Sequence, residues 1–289
     1  MRQGPFRGIA LAVLATACFT LNDTFLKLAM RDMPPFQSMA LRSLVIVGIG
    51  LLLLRPIGYG ESLRLMRDGR VQMRNLCELA TAFCIVIGLR HAPIADLTAL
   101  AQTAPILLLL GASLFLGEAL RPLQLALMAA AFTGAVLVAQ PGLAGFSPYA
   151  LFGLLAAAMA AARDLIGRRM NPRIPAIVVI VGVGGIEVLA AGAAGLLTET
   201  WVRPPAAAWL LAGASGVCLM AAHGLIIGAF RQADVPTVAP FLYMSTVWAL
   251  ASGWLVFGTV PNGPGLLGMG FIVASGVCLL GAEKWFRTP

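Results

Sequence analysis

Apolar residues along the chain gather into ten long runs separated by short polar punctuation, at approximately 7–30, 36–54, 72–90, 94–116, 122–140, 149–168, 175–197, 206–229, 235–258 and 263–283. Each approaches the roughly 20 residues that cross a bilayer as a helix. The interruptions are turn-forming: Pro34-Pro35, Pro56, His91-Ala92-Pro93, Arg121-Pro122, Pro141-Gly142, Pro172, Pro204-Pro205, Pro236 and Pro261-Asn262-Gly263-Pro264. Most connections are a few residues long, and the longest, 55–74, holds five arginines. The pattern predicts an all-α, polytopic membrane protein of ten transmembrane helices with no soluble domain. The first run follows a basic N-terminus and contains Ala15-Thr16-Ala17, which could pass for a signal-peptide cleavage site. Because the run continues to Met30, it reads as a retained span.

A second pattern lies over the first. The stretch Gly88–Gly117, closed by Glu118, returns 141 residues later as Gly228–Gly258, with His91 on Gln232, Gln102 on Tyr243 and Gly117 on Gly258. A repeat of this length has to be settled before any local motif is read. It divides the chain into five-helix halves at 6–140 and 148–285. Five is odd, so the second half must thread the membrane in the opposite sense to the first. Inverted repeats of this kind are a secondary-transporter architecture, with the substrate site near the midplane between the halves.

Composition agrees with the bilayer: 60% of residues are hydrophobic, 11% are charged, and mean hydropathy is +0.90. The +8 net charge raises nucleic acid as a partner, but the arginines sit in short loops between apolar runs. Basic loops mark the cytoplasmic side. With the N-terminus inside, fourteen Lys and Arg residues fall on the inner side, including Arg55, Arg74, Arg121, Arg168 and Arg231, against Arg31, Arg90 and Arg203 outside. Both termini are therefore expected to be cytoplasmic, in a bacterial inner membrane. The five cysteines all lie in apolar segments with no CxxC spacing, which fits buried thiols.

Charge within a span is expensive and demands a partner or a cavity. Asn22, Asp23 and Lys27 fall in span 1, where Asp23 and Lys27 are spaced to pair on one face. Arg42 in span 2 lies at similar depth, so Asp23, Lys27 and Arg42 form a candidate outer gate or a purely structural ion-pair lock. Glu78 in span 3 either joins the gating charges or snorkels to the interface near Arg74. Glu187 stands alone among small residues in span 7; it is a proton-coupling or substrate-binding candidate, or a structural partner for Arg163, Arg42 or Lys27. Arg163 and Asp164 in span 6 form a candidate inner lock, Asp164 lying 141 residues after Asp23. His223 in span 8 is a substrate ligand, a proton carrier or a packing histidine. Gln102 and Tyr243 occupy matching repeat positions, each about 12 Å into its span. With Trp248 they offer hydrogen bonds and aromatic faces to a planar or cationic substrate. Pro105 loosens the helix around Gln102.

Two strings are decoys. Gly213-Ala214-Ser215-Gly216 resembles a serine-protease motif, but on one helix Ser215 and His223 are about 12 Å apart and cannot act as nucleophile and base. Gly224 and Gly228 make a helix-packing motif. No Walker A string, HExxH or carboxylate-rich metal cluster is present, so neither a cofactor nor a metal is expected. An integral-membrane enzyme on lipid substrates would need such a cluster at one face.

Taken in order, Leu21-Asn22-Asp23 with Lys27, Arg42 after a Pro-rich turn, Leu89–Asp96, Pro105, Leu116-Gly117-Glu118, Ala239-Pro240-Phe241 with Tyr243, and Gly258 with Pro261 resemble the drug/metabolite transporter superfamily and its EamA-type ten-span members. The likeness covers essentially the whole chain. The first span and Arg42 look most like the subgroup associated with S-adenosylmethionine or riboflavin-like metabolites; other relatives export amino acids, aromatic ones included. The resemblance implies secondary transport of a small organic metabolite by alternating access, without ATP hydrolysis, and with protons or a counter-substrate as possible coupling partners. Asn22, Gln102, Glu187, His223, Tyr243 and Trp248 are then the ligand candidates. Asp23, Lys27, Arg42, Glu78, Glu118, Arg163 and Asp164 are the gate candidates. Glu118 falls on Thr259 and Pro105 on Thr246 in the repeat register, so the two halves are not chemically equivalent.

Overall fold

The computed structural model describes residues 5–91, 94–140, 148–258 and 262–285. The Ala92-Pro93 turn, the Pro141-Gly142 break, Thr259, Pro261, Arg2 and Arg287 lie outside the described residues, as do the side chains of Arg90, Asp96 and Lys284. The described chain is all-helical: α1 (Pro5–Ala29), α2 (Pro35–Leu54), α3 (Tyr59–Met66), α4 (Gly69–His91), α5 (Ile94–Ala101), α6 (Ala104–Leu116), α7 (Pro122–Ala139), α8 (Leu151–Arg169), α9 (Ala176–Thr198), α10 (Ala206–Gln232), α11 (Val235–Val238), α12 (Met244–Phe257) and α13 (Gly263–Trp285). Nine segments of the described residues are long and apolar enough to cross a membrane, and Gly263–Leu279 is a shorter apolar helix. α1 runs unbroken through Ala15-Thr16-Ala17.

Proline starts helices where its missing N–H costs nothing: Pro35 opens α2 and Pro122 opens α7. The orphan N–H groups at the start of α2 find a remote partner, the Glu199 carboxylate beyond the end of α9, which accepts from Phe36 at 3.1 Å and Gln37 at 3.2 Å. Anionic charge at a helix N-terminus is favourable.

The arginine-rich stretch departs from expectation. It was read as a loop over 55–74, yet α3 folds within it and α4 begins at Gly69, three residues before the apolar run. Arg74 therefore sits inside a helix, 1% exposed, and is not a surface loop arginine. The polar residues of the first turns of α4 hid a helix whose inner end is buried.

Helices pack chiefly in four pairs: α1 on α10, α4 on α8, α2 on α9 and α7 on α13. In the last pair Gly134 and Gly268 meet so closely that a Cβ on either would collide with the other's carbonyl oxygen. Two membrane segments are broken. One pauses at Gln102-Thr103 between α5 and α6, and the other runs α11, a 3₁₀ segment Ala239–Tyr243, then α12. Pro105 removes the N–H that Ala101's carbonyl would otherwise receive, which explains why the first helix loosens there. Each broken segment ends on a left-handed glycine, Gly117 at φ 67° and Gly258 at φ 68°, the two being 141 residues apart. At these positions any side chain would be strained.

Candidate functional site

Two buried polar clusters lie between the paired helices. In the first, Arg42 of α2 forms an ion pair with Glu187 of α9, and both side chains are buried. The other Glu187 oxygen accepts from Ser43 Oγ at 2.7 Å. Asn22 Oδ1 receives Ser215 Oγ at 2.7 Å and a longer bond from Arg42 at 3.4 Å. Asn22 Nδ2 reaches Asp23 at 2.8 Å. Four helices thus meet on one network, and Glu187 is paired with Arg42, one of the three structural partners expected for it. Arg42 Nε is buried with no hydrogen-bond partner.

The expected Asp23–Lys27–Arg42 cluster comes together only in part: Asn22 links Arg42 to Asp23, while Lys27 stands apart. The Lys27 ammonium instead lies over the Phe257 ring, 4.4 Å from its centroid, a cation–π contact that turns it away from Asp23. Arg42 is claimed by Glu187. Asp23 is exposed and sits one turn beyond Phe19 on the same face of α1; Phe19 meets the His223 ring edge-on at 5.3 Å. Asp23 therefore looks toward the space between the two clusters.

The second cluster joins α4, α8 and α10. Arg163 holds Asp164 through two bonds, at 2.7 and 2.9 Å, and Glu78 through a third at 2.6 Å. Glu78 thus faces inward and does not snorkel to the interface near Arg74: the Arg163 guanidinium is the stronger competitor for it. Its other oxygen lies 3.5 Å from His223 Nε2, and that nitrogen makes no hydrogen bond. Arg74 completes the cluster, with Asn75 Oδ1 at 3.3 Å and His223 Nδ1 at 3.2 Å. Asn75 also donates to the Val179 carbonyl of α9 at 3.2 Å. Ser215 and His223 belong to different clusters, as the decoy argument required.

Between the broken helices, Gln102 donates to Thr246 Oγ1. This contact bridges the two repeat-related segments. Tyr243 is fully enclosed among Ala12, Leu108, Met128 and Val235, its hydroxyl without a partner. Trp248 is half-buried, and its Nε1 also lacks a partner.

A third network lies at the ends of α6, α8 and α10. Arg168 reaches Asp234 at 2.7 Å and Glu118 at 3.3 Å, and also bonds the Phe230 carbonyl. Glu118 accepts the Val235 N–H at 2.8 Å. One arginine therefore ties α8 to the end of α6 and the start of α11. Sequence reasoning picked Glu118 but missed Arg168, Asp234, Ser43, Ser215 and Arg74. Arg74 stands four residues before Glu78, on the same helix face, and that spacing was the available signal. Arg168 and Asp234 carried none, because loop-end charges look alike in sequence.

The model of the EamA-like transporter family matches residues 6–140. The chain is 27% identical over 281 residues to the pseudopaline exporter of Pseudomonas aeruginosa (strain UCBPP-PA14), covering 96% of this chain and 97% of that protein. It is 31% identical over 205 residues to the riboflavin transporter of Rhizobium johnstonii, covering 68% and 65% of the two chains. An S-adenosylmethionine uptake transporter of Rickettsia bellii is 25% identical over 200 residues, 68% and 67% of the two chains. A solved crystal structure shares the fold at a TM-score of 0.80 and 20% identity, over 97% of this chain and 99% of the other.

Proposed function

We propose that this chain, whose residues 6–140 match the EamA-like transporter family, is a multi-span member of that family and moves a small organic metabolite across the bacterial inner membrane by alternating access. Residues 148–285 then form the second, inverted repeat. The helix pairs support this: under the 141-residue shift α1 with α10 exchanges for α8 with α4, while α2 with α9 and α7 with α13 map onto themselves. The matching left-handed glycines support it too.

The observation that carries the functional reading is a pair of buried charged clusters, one around Arg42 and Glu187 and one around Arg163, Glu78 and Arg74, in a bundle whose two broken segments are bridged by Gln102 and Thr246. Charge at that depth is costly even when paired, and it commonly marks a substrate or ion path. Ser215 and His223 set the clusters about 12 Å apart along α10, with Asp23 turned into the interval. Asp23 becomes a contact for a cationic group of the substrate, with Gln102 and Trp248 lining the same route. Arg168, bound to Glu118 and Asp234, shuts the inner end and must let go for substrate to pass.

The relatives' names offer pseudopaline, riboflavin and S-adenosylmethionine as candidates, and amino acids are the alternative that the sequence resemblance implies. In proteoliposomes containing the full chain, counterflow of radiolabelled S-adenosylmethionine, riboflavin, phenylalanine or tryptophan is expected to be saturable for at least one compound. Equal signals from protein-free vesicles for all four would overturn the reading. The near full-length match to an exporter favours a second reading, outward transport, which efflux from preloaded cells separates from uptake.

A further inference from the structure

Arg74 is 1% exposed, and both acceptors around its guanidinium, Asn75 Oδ1 and His223 Nδ1, are neutral. The cluster's two carboxylates, Asp164 and Glu78, are engaged by Arg163. Among the described residues no carboxylate oxygen lies within 4.0 Å of Arg74. Glu78 and Asp164 offset the Arg74 charge only from a distance, so its guanidinium donors, held by weak neutral acceptors, can be taken over by an anion that brings its own compensating proton. Arg74, Arg163 and Asp164 border a cavity of about 10 Å³, room for about one water. A larger group enters only when the helices part.

The chemistry of His223 follows from its neighbour. Arginine has donors and no acceptor, so the nitrogen facing Arg74 must offer its lone pair. Nδ1 is then unprotonated and the ring's proton sits on Nε2, toward Glu78. The groups facing this ring are Arg74 and Glu78 from α4, Arg163 from α8 acting through Glu78, and Phe19 from α1 with Asp23 a turn beyond.

We infer that Arg74 and His223 form a carboxylate subsite: a substrate carboxylate replaces His223 as the acceptor for Arg74, and the released Nδ1 takes a proton that travels with the substrate. The proton comes from water on the open side and leaves to water on the other when the carboxylate departs and Arg74 returns to Nδ1. Charge is conserved in the cluster: Arg74 and Arg163 offset Glu78 and Asp164, and the added carboxylate is offset by the imidazolium. The inference rests on the transporter reading and narrows its substrate to a carboxylate-bearing metabolite. By linkage, affinity for that substrate falls as pH rises.

The test uses full-length protein in proteoliposomes with a trapped pH dye. The paired probes are S-adenosylmethionine with its decarboxylated form and phenylalanine with phenethylamine, plus riboflavin. Carboxylates should move about tenfold faster than their decarboxylated partners, with about one proton per molecule. His223→Asn keeps an acceptor near the place of Nδ1 but cannot carry a proton, so the number of protons moved per molecule transported should fall to near zero, whatever rate of counterflow is left. Arg74→Gln should bring the paired probes toward parity. Equal transport of the pairs, wild-type transport without proton movement, or an undiminished proton ratio in His223→Asn would overturn the inference while leaving the transporter reading intact. Transport of no probe would remove both.

Discussion

Arg42 and Glu187 illustrate how a buried pair differs from its members. Together with Ser43 they satisfy one another's charge and lone pairs. Removing one partner from such a pair leaves an unpaired buried charge, which costs about 3–5 kcal/mol, whereas replacing both with apolar groups is often neutral. Glu187→Leu is thus expected to lower the melting temperature in detergent sharply, and Arg42→Met with Glu187→Leu to recover most of the loss. A double variant no more stable than the single would show that the pair is not the source of the cost. If the double variant also transports, the pair is scaffold; if it folds without transporting, the pair belongs to the path.

At the scale of elements, the two broken segments are the informative feature. Gly117 and Gly258 close them in the left-handed region, where an L side chain costs about 1–2 kcal/mol. Alanine at either position should lower stability by a similar amount, read as matched shifts in thermal unfolding; a loss at one position alone would speak against equivalent roles in the two halves. Gln102→Ala removes the bridge to Thr246 and is expected to slow transport with little change in melting temperature. These elements were largely legible in sequence, because apolar length, proline and glycine are local signals. Apolar runs placed the helices, and the 141-residue register found both left-handed glycines. Side-chain partners were legible only in part: Arg163 beside Asp164 and Arg42 as one of three candidates for Glu187 were expected, but the choice among candidates was not. Lys27 could pair with Asp23 by spacing, yet Phe257, more than two hundred residues away, takes it. Nothing in the neighbourhood of Glu187 selects Arg42 over Arg163 or Lys27. Arg74 was hidden by the arginine-rich stretch before it, whose polarity reads as loop while its helix packs inward.

For the molecule as a whole, orientation and gating remain joined claims. The arginine census puts Arg168, Glu118 and Asp234 at the cytoplasmic end and the Glu199 cap of α2 at the other. A C-terminal green fluorescent protein fusion should therefore fluoresce and an alkaline phosphatase fusion should be inactive, the reverse result inverting the topology. With that end inside, the Arg168 network is the proposed inner closure, which the proposed transport cycle requires to break. The decisive measurement uses a chain with its five cysteines replaced and new ones at Glu118 and Arg168, joined by a reducible methanethiosulfonate cross-linker in proteoliposomes. Counterflow should stop on cross-linking and return on reduction; counterflow that continues at full rate with the two residues joined would contradict alternating access through this end.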